Sequence, residues 1–183
     1  MNVAWDPKKA LLKASKEYMV IFAILILGMV FSVASPYFLT VNNMTNILLQ
    51  ATTLSVVAIG QAMVLLTGQM DLSLGQNVCL TGYIMAYLMN ISEINPWLAI
   101  LIGLLTAGLV GAVNGFLFAY CKIPAFIVTL GMQNICKGAA KLITNATPIS
   151  RLPDEIAFFG RGYLWDAIHI SVLIMLSLYI IVQ

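Results

Sequence analysis

The stretch Leu65–Asn77 reads LLTGQMDLSLGQN and sets an aspartate, Asp71, between two long apolar runs. Between Glu17 and Lys122 the only other charged residue is Glu93. Charged residues make up 9% of the 183 positions and apolar residues 61%, where a soluble domain averages about 25% charged. So few charges cannot clothe a water-facing surface, and the bilayer is the expected solvent. At about 20 residues per crossing, the length accommodates about six spanning helices. The expected fold is therefore all-α: a polytopic transmembrane helical bundle with a helix broken at Gly68–Gly75.

Outward from Asp71, the apolar runs are Tyr18–Ala34, Asn46–Leu66, Leu74–Met89, Trp97–Tyr120, a less apolar Ala125–Thr144, and Ala167–Val182. Asn42, Asn43 and Thr45 are natural N-cap types at the head of the second run. Pro124 suits the first position of the fifth helix, where its missing N–H costs nothing. Residues 145–166 read as the one extended polar loop, with Pro148, Pro153, Gly160 and Gly162. Lys8, Lys9, Lys13 and Lys16 crowd the start of the chain. By the positive-inside rule they predict a cytoplasmic N-terminal anchor over residues 1–17, with the transmembrane part at 18–183. An uncleaved first helix is expected rather than a signal peptide, because the run exceeds the usual apolar region of such peptides. Counting crossings puts Lys122 inside and the 145–166 loop outside. The last run has no Lys or Arg after it, which suggests an incomplete chain.

The net charge of +2 gathers at that anchor, and no basic patch interleaved with aromatics points to nucleic acid. Cys79, Cys121 and Cys136 are expected to be buried thiols acting as small hydrophobes. Asn43-Met-Thr, Asn90-Ile-Ser and Asn145-Ala-Thr fit the glycosylation pattern and are read as coincidence. No phosphate loop, Cys/His metal spacing or nucleophile elbow occurs, so neither catalysis, a metal nor a cofactor is expected.

Irregular backbone at membrane depth is tolerated where it is buried in protein or lines a watery cavity. Gly68 and Gly75 permit such a break. Asp71 or Ser73 can cap the helix that follows, and Ser73-Leu-Gly-Gln76 has capping-box spacing. Capping is one use of Asp71; marking a solute pathway is another, and the two are compatible. Gly103, Ala107, Gly111, Gly115 and Ala119 recur every four residues and form a small-residue ridge suited to close helix packing, with Asn114 beside it. Lys137 and Lys141 share a helix face and either snorkel to an interface or line an aqueous cavity. His169 is the single histidine and is expected at an interface rather than in a proton relay.

Gly68-Gln-Met-Asp-Leu-Ser-Leu-Gly75 resembles the G-G-I-D-L-S-x-G signature of the inner-membrane permeases of bacterial monosaccharide ABC importers. These are the ribose, galactose, xylose and arabinose type, with autoinducer-2 permeases as relatives. Asn114-Gly115 and Lys122-Ile-Pro-Ala-Phe-Ile-Val-Thr-Leu-Gly131 resemble a second family block, and Tyr37–Met44 and Pro148-Ile149 also fit. Gln69 and Met70 stand where the family has Gly-Ile. The family's members run to more than 300 residues and about ten helices, so the resemblance covers an N-terminal portion.

The resemblance implies a permease subunit that forms part of a sugar pathway through the cytoplasmic membrane. It implies as partners ABC ATPase subunits, an extracytoplasmic sugar-binding protein and a second permease, homo- or heterodimeric, with lipid around them. It places Gly68, Asp71, Ser73 and Gly75 at a break beside the pathway. Asn114, Pro124, Thr129 and Gly131 become packing and helix-start residues. Two alternatives stand beside it. One is a truncated or split permease fragment without transport activity alone. The other is an ion-coupled secondary transporter, with Asp71 and Lys137 or Lys141 as its charged set.

Overall fold

The computed structural model describes the backbone of residues 7–164 and 168–182, and the side chains of 18–164 and 169–182. The lysine side chains of the expected N-terminal anchor lie outside the described residues. The chain divides into two compact units, Met1–Leu48 and Leu49–Gln183.

In the first unit, helix α1 runs Pro7–Ala34 and helix α2 begins at Val41, extending to Leu66. The start differs from the expected Asn46, and the reason is local. Thr40 Oγ1 accepts the Asn43 N–H at 3.4 Å while donating to Tyr37 O at 2.7 Å. Thr40 is thus the N-cap, closing on the third helical residue. Asn42, Asn43 and Thr45, expected to cap, lie inside the first turns instead. Asn43 Nδ2 reaches back to Phe38 O at 2.7 Å and ties down the connector.

The second unit contains the rest of α2 and helices α3 (Leu74–Asn90), α4 (Pro96–Ala119) and α5 (Ala125–Thr144). Helix α4 starts with Pro96 at its first turn and Asn95 Oδ1 accepting the Trp97 N–H at 3.0 Å. Pro124 sits one residue before α5, in the cap position with φ −53° and ψ 132°, rather than as its first helical residue. Helix α5 stops where Asn145 turns left-handed at φ 49°, and the Ala146 N–H returns to Lys141 O at 2.9 Å. That pair of αL residues ends the ladder without a glycine.

Residues 145–166 are not one long loop. Asp154–Arg161 forms helix α6, with acids in its first turn and Arg161 in its last, an arrangement that complements the helix dipole. A hairpin follows, pairing β1 (Tyr163–Leu164) antiparallel with β2 (Ile168–His169), and helix α7 takes Ile170–Val182. Ile170 N–H donates to Gly162 O at 3.0 Å, so the hairpin claims the residues that the apolar run had assigned to the last helix. The described fold is otherwise helical.

The core lies among α3, α4 and α5, centred on Leu80, Cys136 and Ala140 with Tyr83, Ile84, Val110 and Met132 around them. Polarity is distributed against the pattern of a water-soluble protein. Thr52, Ser73, Thr81, Asn114, Thr129 and Thr144 are buried, while Leu104 is 60% and Leu109 66% exposed. Outward apolar surface with inward hydroxyls and amides suits a hydrocarbon solvent. Hydroxyls at exposed, half-buried and buried positions alike bond within their own helix: Thr53 to Leu49 O, Ser55 to Ala51 O, Thr106 to Ile102 O and Thr144 to Ala140 O.

Among the described residues two helices, Val41–Leu66 and Pro96–Ala119, are long and apolar enough to cross a membrane. Tyr18–Ala34 and Ile170–Val182 are apolar but shorter. Helices α3 and α5 are in neither group, and both carry polar side chains, including Gln76, Asn77, Gln133 and Asn134. These two helices pack more extensively on each other than any other described pair.

Candidate functional site: a clamped helix break

Helix α2 ends at Leu66, and α3 does not begin until Leu74. Between them Gly68 turns left-handed at φ 74°, its N–H bonded to Leu65 O at 2.9 Å. A side chain in that conformation costs about 1–2 kcal/mol, and Asn tolerates it better than other residues. Gly68→Ala is therefore expected to lower stability in detergent by about that amount, and Gly68→Asn by less. An alanine variant that resists SDS titration as well as the wild type would mean the turn is not held left-handed. Gly75 plays a different part from the one expected. It lies in the first turn of α3, has no positive φ, and a Cβ there would meet nothing. The break turns on one glycine.

Asp71 organises the far side of the break. Its Oδ1 accepts both the Ser73 N–H at 2.7 Å and the Ser73 hydroxyl at 2.6 Å. Ser73 is the N-cap of α3, but its side chain caps no backbone N–H. The capping box with Gln76 does not form: Ser73 itself is in a helical conformation, φ −82° and ψ −18°, and its hydroxyl is turned toward Asp71 and Asn114 instead. With its proton given to Asp71, Ser73 Oγ can only accept, and it accepts from Asn114 Nδ2 at 2.9 Å. The direction of this chain fixes the Asn114 amide: NH2 toward Ser73, carbonyl away. Asn114 Oδ1 is buried without a partner among the described residues.

Helix α5 closes the third side. Thr129 is buried, donates to Ala125 O at 2.9 Å, and stands 3.5 Å from Met70 O. One turn into α3, Asn77 Nδ2 donates to Ala107 O of α4 at 3.3 Å. Asp71, Ser73, Asn114 and Thr129, expected together from sequence, are brought together. Asn77 is a fifth member that the sequence reading passed over. It looks like any polar residue in an apolar run, and its partner is a backbone carbonyl that no side-chain pattern reveals.

The other expected residues divide. Gly103 is buried against Met85, whose side chain would overlap a Cβ placed there. Ala107 lends its carbonyl to Asn77. Gly111, Gly115 and Gly131 are exposed and a Cβ on any of them would meet nothing, so packing uses only the first part of the ridge. Asp71 makes no ion pair with Lys137 or Lys141. Those lysines line an open cleft between α3 and α5. Cys136 is buried as expected, but Cys79 and Cys121 are exposed. His169 is buried, its ring tilted at 36° to that of Tyr163 with centroids 4.1 Å apart, and both ring nitrogens are unpartnered among the described residues.

The family model described as the permease component of branched-chain amino acid transport systems matches residues 43–183, a span that holds the break and all three helices clamping it. The chain belongs to that family. Among curated relatives, the ribose import permease protein of Escherichia coli K12 is 36% identical over 146 residues, 78% of this chain and 45% of that protein. The D-allose transport system permease protein of the same strain is 33% identical over 151 residues, covering 81% and 46%. Its galactose/methyl galactoside import permease protein is 30% identical over 171 residues, covering 86% and 51%. The resemblance to monosaccharide importer permeases is thereby borne out. The chain spans about half the length of the curated relatives it matches. No solved structure matches it.

Proposed function

We propose that the chain is a permease subunit of a sugar ABC importer and forms part of the solute pathway through the cytoplasmic membrane. The observation that carries this reading is the break at Thr67–Leu72, clamped by Asn114 of α4 and Thr129 of α5 within a polar pair of helices. Non-helical backbone at membrane depth is stable where protein buries it or water reaches it, and broken helices with inward polar groups mark solute paths. In this reading Gly68, Asp71 and Ser73 shape the break, Asn114 and Thr129 hold it, and Gly103 sets the α3–α4 spacing. Gly111, Gly115 and Gly131 are left for further helices to approach. The chain crosses the membrane several times with its N-terminus in the cytoplasm. It works with ABC ATPase subunits, an extracytoplasmic sugar-binding protein and a second permease.

The test is uptake of labelled ribose, allose and galactose into vesicles that carry the chain with its ATPase and binding protein. Uptake is expected to need ATP and the binding protein, and to survive an uncoupler. Uptake that survives ATP depletion but stops with the uncoupler would replace this reading with ion coupling.

A further inference from the structure

Lys137 and Lys141 stand one turn apart on α5, both exposed, and line the α3–α5 cleft with Gln76, Cys79, Tyr83 and Thr144. The cleft holds about 260 Å³, below the roughly 300–1,000 Å³ of sites for drug-sized ligands. No carboxylate lines it, and neither lysine is paired among the described residues. Lys141 lies in the last turn of α5, where it meets the negative end of the helix dipole. Lys137 lies a full turn earlier and has no such partner. The Thr144 hydroxyl is committed to Ala140 O at 3.0 Å. The Gln76 amide and the Tyr83 hydroxyl bond to nothing among the described residues. The cleft therefore presents two cations that no carboxylate pairs among the described residues, together with two free neutral donors.

We propose that this cleft binds a phosphate group. Two ammonium groups on one face supply charge, and the amide and phenol supply directed hydrogen bonds to the remaining oxygens. Low-dielectric walls concentrate the field of the two lysines into the cleft. The phosphate comes either from a lipid headgroup or from the aqueous phase, and both present the same oxygens. The assignment stands apart from the transport reading, since it needs only the α3–α5 pair.

Cys79 on the cleft wall is a built-in probe. In membrane vesicles carrying the full chain with Cys121→Ser, Cys79 is labelled with an anionic sulfonate methanethiosulfonate and with its cationic trimethylammonium counterpart. The anionic reagent is expected to react several-fold faster at Cys79 than the cationic one. The same comparison at Cys121, in a Cys79→Ser background, supplies the intrinsic ratio. Lys137→Gln with Lys141→Gln should bring the Cys79 ratio down to that reference, and the double arginine variant should keep it. Inorganic phosphate in the millimolar range that slows labelling of Cys79 identifies the aqueous source. Slowing seen only in vesicles containing phosphatidylglycerol, and not in pure phosphatidylcholine, identifies the headgroup. Lack of protection by either overturns the proposal. So does a ratio indifferent to the lysines, or a Cys79 that neither reagent reaches.

Discussion

Ser73→Ala is expected to lower the stability of the α3–α5 unit by about 1–3 kcal/mol, the cost of leaving a buried donor without an acceptor. One hydroxyl stands at the centre of the clamp. It gives its proton to Asp71 at 2.6 Å and takes one from Asn114 at 2.9 Å. Removing it strands Asn114 Nδ2 in a region whose Oδ1 is already unpartnered. Asp71→Asn should cost less, about 1 kcal/mol, because an amide oxygen can still accept from Ser73 and only the charge assistance is lost. SDS titration of the protein in mild detergent micelles, followed by helical circular dichroism, ranks the two. If Asp71→Asn proved the more damaging, the carboxylate's charge would matter more than the shape of the break. A sugar-uptake assay on the same variant would then show whether transport needs that charge.

Gly103→Leu is the second large expected effect, about 1–3 kcal/mol from overpacking. A Cβ at Gly103 overlaps the Met85 side chain, so α3 and α4 must separate or Met85 must change rotamer. Gly111→Leu, two turns along the same ridge, meets open space and should stay within about 0.5 kcal/mol. Adding Met85→Ala to Gly103→Leu should recover part of the loss, and the double-mutant cycle would assign the coupling to that pair. Equal effects at Gly103 and Gly111 would mean that the ridge is engaged along its whole length.

Much of this was legible before any coordinates. Apolar runs gave the positions of α3, α4 and α5 to within a residue or two, because a helix buried in oil or in its neighbours needs an unbroken apolar stretch and shows it. The grouping of Asp71, Ser73, Asn114 and Thr129 was legible only through the family resemblance, which sets Asn114 and Thr129 around the break as packing and helix-start residues. Their wiring was not. Whether Ser73 caps a helix or relays to Asn114 depends on where α4 brings its amide, a fact of packing across 41 positions. The early start of α2 was missed because Asn and Thr are good caps in general, and the choice among four candidates rests on the turn at Tyr37–Thr40. Helix α6 was hidden by composition. Its flanking signals, Pro153 before two acids and Arg161 at the end, were present but were read as loop chemistry.

The hydroxyls of Thr53, Ser55, Thr106 and Thr144, each bonded to a carbonyl one turn back, bear on the order of assembly. A side chain satisfied by its own helix enters hydrocarbon at little cost and asks nothing of a neighbour. These hydroxyls therefore place no demand on a neighbour while their segments are being inserted. Ser73, Asn77 and Asn114 are different, since their partners lie on another segment. Until α3 meets α4, those groups are unsatisfied and hold the intermediate open to water or to other helices. Lateral association then proceeds with a built-in checkpoint, and the register in which α3 settles against α4 is the one that gives the Asn77 and Asn114 amide N–H groups their acceptors.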